Sequence, residues 1–110
     1  MTITRINPDY SAVQTWSDAA NGVYASKIGK LVVINLMPNG ARTVGDGATY
    51  ITTLPSGWRP TRQLAAACEG GGYCVQILAD PGGNFSIYKG GGFSGSKNLW
   101  LRGTITYTTA

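Results

Sequence analysis

Lys30-Leu31-Val32-Val33-Ile34-Asn35-Leu36-Met37 is the stretch that decides the fold. It is a short run of aliphatic residues, several of them β-branched, and it ends at the turn pair Asn39-Gly40, which reads as a strand. Successive strand side chains point to opposite faces, so Leu31, Val33 and Met37 share one face and Val32, Ile34 and Leu36 the other. Both faces are apolar. One can enter a core; the other needs a cover, and in a domain this small a second subunit is a serious candidate for it.

The closing segment repeats the alternation more cleanly. Leu99, Leu101, Ile105 and Tyr107 fall on one side, and Trp100, Arg102, Thr104, Thr106 and Thr108 on the other. Phe85 and Ile87 alternate with Ser86 and Tyr88, and Val75 and Ile77 flank Gln76. Between such runs come Asn21-Gly22, Asn39-Gly40, Asp46-Gly47, Ser56-Gly57, Gly70 to Gly72, Asp80-Pro81-Gly82-Gly83 and Gly90 to Gly92, which are turn chemistry at the spacing of an all-β sandwich or barrel. No segment has convincing helical periodicity. The expected fold is therefore a small antiparallel β-sandwich, jelly-roll-like or barrel-like, over residues 21–110. Residues 1–20 differ: Asn7-Pro8-Asp9 breaks a short extended piece, and Ser11 to Ala20 offers only Val13 and Trp16 as substantial apolar groups. They read as an N-terminal arm whose Trp16 packs on the head or on a neighbouring chain.

A chain of 110 residues makes one domain with limited burial, which oligomerisation would extend. Charged residues are 13% of the total, against about 25% in ordinary soluble domains, so the surface suits neutral hydrogen-bonding partners or another subunit. The net charge of +4 comes from nine scattered basic residues. Nucleic-acid binding calls for clustered Lys and Arg, and the expectation is none. No run of signal-peptide or membrane-spanning length is present, so membrane insertion is not expected.

The chain contains no histidine, which removes Ser-His and Cys-His nucleophile activation and histidine-based metal sites. The carboxylates Asp9, Asp18, Asp46, Glu69 and Asp80 lie in or beside turns or the arm, where accepting local backbone hydrogen bonds is their ordinary work. Gly90-Gly91-Gly92-Phe93-Ser94-Gly95 has dinucleotide-binding spacing but leads into a strand, not into the helix that such a site needs. The expectation is a non-enzymatic domain without cofactor or metal. Cys68 and Cys74 bracket Glu69-Gly70-Gly71-Gly72-Tyr73; a hairpin there admits a cross-strand disulfide, and two small thiols in a reducing cytoplasm is the other reading.

Leu54-Pro55-Ser56-Gly57-Trp58-Arg59-Pro60, taken with the aromatic-containing strand Trp100 to Thr108, resembles the receptor-binding head domains of bacteriophage tail fibre and baseplate proteins. The resemblance spans about residues 21–110 and rests on these two short motifs. It implies a homotrimeric head in the virion, made in the bacterial host cytoplasm, contacting other tail or baseplate proteins and adhering to a bacterial cell-surface saccharide. The alternatives are a structural trimerisation or capping domain of a fibre and a bacterial lectin-like module. Loops carry ligand contacts more often than the scaffold beneath them, so Tyr73, Tyr88, Phe93 and Lys97 are the candidate ligand residues. Trp58 is either a further one or the anchor of its corner, with Arg59 pointing outward. Val32, Ile34 and Leu36, or Trp100 and Arg102, are the candidate subunit contacts.

Overall fold

Inward and outward residues alternate along most of the ten strands among the described residues, and that alternation shapes the molecule: β1 (Gln14–Asp18), β2 (Val23–Ile28), β3 (Leu31–Leu36), β4 (Arg42–Val44), β5 (Ala48–Thr53), β6 (Leu64–Gly70), β7 (Tyr73–Ala79), β8 (Asn84–Tyr88), β9 (Lys97–Leu99) and β10 (Leu101–Thr108). The computed structural model describes residues 13–89, 93 and 95–109. The first twelve residues of the expected arm, and most of the Gly90–Gly95 loop, lie outside the described residues.

Eight strands form one antiparallel sheet in the order β1-β2-β3-β10-β6-β7-β8-β5, and β4 pairs with β9 in a separate two-stranded ribbon. The expected all-β antiparallel architecture is the one that forms, as a curled sheet of barrel-like shape. Its two outermost strands meet: the Thr52 hydroxyl of β5 donates to the Asp18 carboxylate at the end of β1, 2.7 Å away. Asn21 Nδ2 donates to the same carboxylate at 2.7 Å, and Arg42 donates to Asn21 Oδ1 at 2.8 Å. The hydrogen bonds from Asn21 and Thr52 hold the Asp18 carboxyl below its usual pKa.

The curl encloses one core. Val23, Val32, Ile34, Leu36, Val44, Leu54, Ile77, Phe85 and Ile87 are its most deeply buried side chains. In β3 this settles the ambiguity of a strand apolar on both faces. Val32, Ile34 and Leu36 are at most 1% exposed and belong to the domain's own core, which corrects their assignment to a subunit contact. The outward face is the one carrying Leu31 and Met37, which are exposed, and half-buried Val33. In β10 the expected alternation forms, with Leu101, Ile105 and Tyr107 buried and Arg102, Thr104, Thr106 and Thr108 exposed.

The boundary expected at residue 20 moves toward the N-terminus. Gln14–Asp18 pairs with β2 from Gln14↔Lys27 to Asp18↔Val23, so it is a strand of the sheet and not part of an arm. Trp16 is half-buried against the core of its own domain.

The Leu54–Pro60 corner joins β5 to β6 and lies at the end of the sheet where β2, β7 and β10 terminate. Leu54 is fully buried. The Trp58 N–H donates to the Pro55 carbonyl at 3.1 Å, and Gly57 takes φ 87°, the positive value a type II turn requires at its third residue. The corner is tied down from several strands. Lys27 of β2 donates to the Gly57 carbonyl and stands 5.8 Å from the Trp58 ring centre. Tyr107 of β10 donates its hydroxyl to the Trp58 carbonyl. Arg59 does not point outward as expected: its Nε donates to the Leu54 carbonyl at 2.9 Å, against the β7–β8 turn, where Gly83 accepts a 2.7 Å bond from the Leu54 N–H. A Cβ on Gly83, whose φ is 90°, would lie 2.5 Å from Arg59 Nε and 2.9 Å from the Leu54 oxygen.

Gly83→Ala is accordingly expected to lower stability by about 1–3 kcal/mol, through left-handed backbone strain and the collision with the Arg59 side chain, read as a fall in the urea midpoint. A second expectation concerns alkali. Burial pushes the Tyr107 hydroxyl from 10.0 up to about 12, so the phenolate forms first in the unfolded chain. The stabilisation from Tyr107 is complete below pH 10.0 and is lost as pH climbs through about 12. Tyr107→Phe should lose less stability over that window than the unsubstituted protein, in urea titrations at a series of alkaline pH values.

Candidate ligand-binding site

At the opposite end of the sheet the strand pattern places a lysine where an aliphatic residue would be expected. Phe85 and Ile87 of β8 point inward, and Lys89, two residues on, continues that parity with its side chain 4% exposed. An ammonium buried without partners costs several kcal/mol, and Lys89 avoids this by using its three protons on three acceptors. It pairs with the Asp46 carboxylate and donates to the carbonyls of Phe93, at 2.8 Å, and Gly95, at 3.0 Å. Nζ also lies 4.8 Å from the Phe93 ring centre, within cation–π range. Lys89 thereby ties Phe93 and Gly95 to the β4–β5 turn that carries Asp46.

Phe93, held in this way, lies against Tyr73, the first residue of β7. Their rings meet edge to face, with centres 5.2 Å apart and planes at 65°. Lys97 enters from β9, opposite Val44 of β4. Leu99, two residues along, is buried, so Lys97 points to the same side, and its Nζ stands 5.2 Å from the Tyr73 centre and 5.9 Å from the Phe93 centre. Three of the residues expected from sequence to contact ligand, Tyr73, Phe93 and Lys97, thus form one cluster. It combines an accessible aromatic face with a half-exposed cation, on a scaffold held by a buried lysine that is paired with the exposed carboxylate of Asp46.

The other candidates lie elsewhere. Tyr88 is exposed on the outer face of β8, opposite Gln76 of β7 and Ala48 of β5, and borders a shallow depression with Gln63, Leu64, Ala65 and Leu78. Trp58 is half-buried and engaged in its corner at the far end, as the anchoring reading anticipates. Trp100 and Arg102 share the outward side, as expected, with Trp100 57% exposed and Arg102 in register with Glu69.

Cys68 and Cys74 do not face each other. The two-residue turn Gly71-Gly72 pairs Gly70 with Tyr73, which places Cys74 opposite Glu69 and Cys68 opposite Val75. Cys68 faces the core and Cys74 is exposed, and both are free, so the cross-strand disulfide is excluded. The Cys68 Sγ donates to the Arg102 carbonyl at 3.3 Å, and burial pushes its pKa to about 11.

The residues that sequence reasoning passed over are Lys89 and Asp46, read as a scattered surface cation and a turn acid. The signal was there for Lys89: the parity of Phe85 and Ile87 continues onto it. Nothing in the spacing linked it to Asp46, 43 positions earlier. No protein-family model matches the chain and no curated protein matches it. What the fold and cluster define is a small all-β domain with an aromatic and basic site at one end.

The folded protein should present one thiol, Cys74, to a disulfide reagent such as dithionitrobenzoate, with Cys68 reacting only on denaturation. Two fast-reacting thiols, or none under non-reducing conditions, would contradict the register of β6 and β7.

Proposed function

We propose that this chain is the receptor-binding head of a bacteriophage tail fibre or baseplate protein, adhering to a saccharide on the bacterial surface. The observation that carries the reading is the Tyr73, Phe93 and Lys97 cluster, an aromatic face and a cation within 5.2 Å of each other, at the end of a stiff β scaffold. An aromatic face packs against the C–H face of a pyranose, while the ammonium and nearby backbone groups address its oxygens. One such site is shallow and binds weakly. A homotrimer repeated around a tail raises avidity through effective concentration without any new contact, and the virion is where that repetition occurs. The Leu54 to Pro60 corner and the Trp100 to Thr108 strand, the two motifs of the resemblance, support the same reading.

A second reading, a trimerisation or capping domain of a fibre, is favoured by the outer face of β2 and β3. Tyr24, Ile28, Leu31 and Met37 are 46–54% exposed there, an apolar stripe of the kind that subunit contacts use.

The test is binding of the purified protein to a panel of bacterial strains and their extracted surface glycans, with mass determined alongside by light scattering. Tyr73→Ala should weaken binding at least about tenfold, the loss of a well-packed aromatic contact, while leaving assembly and thermal midpoint close to the parent. Tyr88→Ala, on the outer face, should bind as the parent does. Assembly into trimers without binding to any strain or glycan would favour the capping reading.

A further inference from the structure

We infer that the Tyr73–Phe93–Lys97 site selects an acidic saccharide, one bearing a carboxylate or a phosphate, over a neutral one. This rests on the adhesion reading and specifies its ligand class. The cation of the site has no acidic partner among the described residues. The chain has five acidic residues, and the four described are engaged or turned elsewhere. Asp46 is bound to Lys89. Asp18 accepts from Asn21 and Thr52 in the closure of the sheet. Asp80 holds the far turn through Asn84 N–H and Nδ2, at 3.0 and 3.2 Å. Glu69 is exposed, in register with Cys74 and Arg102, and strand alternation sets it on the face opposite to that of its buried neighbours Cys68 and Gly70.

The local balance is therefore positive. Lys89 and Asp46 cancel, leaving Lys97 as the uncompensated charge beside two aromatic rings. Lys97 is also positioned rather than trailing in solvent: it is half-buried, and its head lies 5.2 and 5.9 Å from the two ring centres. A sugar ring stacked on the open face of Tyr73 brings an exocyclic carboxylate or a phosphodiester oxygen within reach of that ammonium. A neutral sugar would cover the ammonium and replace only part of its hydration. The contribution of one partly exposed ion pair is modest, a few-fold in affinity and screened by salt, and multivalent display multiplies it.

The experiment measures binding of the full chain to four polymers: a uronic-acid polysaccharide, the same polymer after carboxyl reduction, a polyol-phosphate polymer, and a neutral glucan. Each is tested at low and high salt with the parent, Lys97→Gln, Lys97→Arg and Lys30→Gln. Lys30 lies in the β2–β3 turn at the other end of the molecule, so Lys30→Gln removes the same charge away from the site. The expected result is binding to an acidic polymer that falls on carboxyl reduction and at high salt. Lys97→Gln should weaken it at least about threefold, the scale of one exposed ion pair, with Lys97→Arg and Lys30→Gln close to the parent. Preference for the uronic acid or for the polyol phosphate identifies the anion. Equal binding to neutral and acidic polymers, or equal effects of Lys30→Gln and Lys97→Gln, overturns the inference and leaves adhesion standing. Binding to no polymer and no cell removes the adhesion reading and this inference with it. If Lys97→Gln does not fold, the carboxyl-reduced polymer and the salt dependence of the parent decide the matter.

Discussion

A single sheet that is apolar on one side has no second layer to cover it, and the whole architecture follows from that constraint. Eight strands in one sheet can bury Val23, Ile34, Ile77 and Ile87 together only by curling until opposite parts of the same sheet face each other. The curl needs something to hold its outer strands, and the Asp18 carboxylate takes that part by accepting from Thr52 across β1 and β5. It also leaves two open ends, through which water would reach the core. Each end is closed by a different device, and the difference between the devices divides scaffold from site.

One end is closed by an aromatic corner. Leu54 fills the core, Trp58 lies over the end, and bonds from Lys27, Tyr107 and Arg59 fasten the turn to β2, to β10 and, beside the β7–β8 turn, to itself. The carbonyls of Leu54, Pro55, Gly57 and Trp58 each accept a hydrogen bond from within the domain, so the corner is committed to holding itself together. The other end is closed by the β4–β9 ribbon, whose Val44 and Leu99 are buried, and by Phe93, drawn in by Lys89. Here the closure is charged and incomplete, and it leaves the Tyr73 ring and the Lys97 head in contact with solvent. Rigid backing with unsaturated chemistry on top is what a recognition surface needs, because ordering costs are met in folding and not in binding.

Much of this was legible in the residues. The alternation in Leu99 to Thr108 named the inward side of β10 correctly, and the glycine-bearing turns divided the chain into antiparallel strands. Two things were not legible. In Leu31 to Met37 both faces are aliphatic, so periodicity identifies the strand but not which face goes inside; that choice depends on β2 and β10, whose partners are set by the whole sheet. For Cys68 and Cys74 the outcome hinged on one residue of register. With the turn at Gly71-Gly72 the two sulfurs fall on opposite faces, whereas a three-residue loop centred on Gly71 would have set them opposite each other. In the candidate site, the types of Tyr73, Phe93 and Lys97 were suggestive, but their meeting depends on Lys89, whose partner Asp46 is remote in sequence.

The buried lysine also fixes two points beyond β8, the backbone at Phe93 and at Gly95. Glycines lower the cost of sharp backbone reversal but raise the entropy lost on ordering, so a glycine-rich stretch holds a fixed course only where something outside it supplies the ordering energy. An ammonium with three protons, shielded from water and facing two backbone carbonyls, supplies it at Phe93 and Gly95. The Asp46 carboxylate keeps the ammonium from being an unpaired buried charge, which ties Phe93 and Gly95 to the β4–β5 turn. The Tyr73, Phe93 and Lys97 cluster is in this sense built from the inside: Phe93 is held by the ammonium of Lys89, a charge buried beneath its ring.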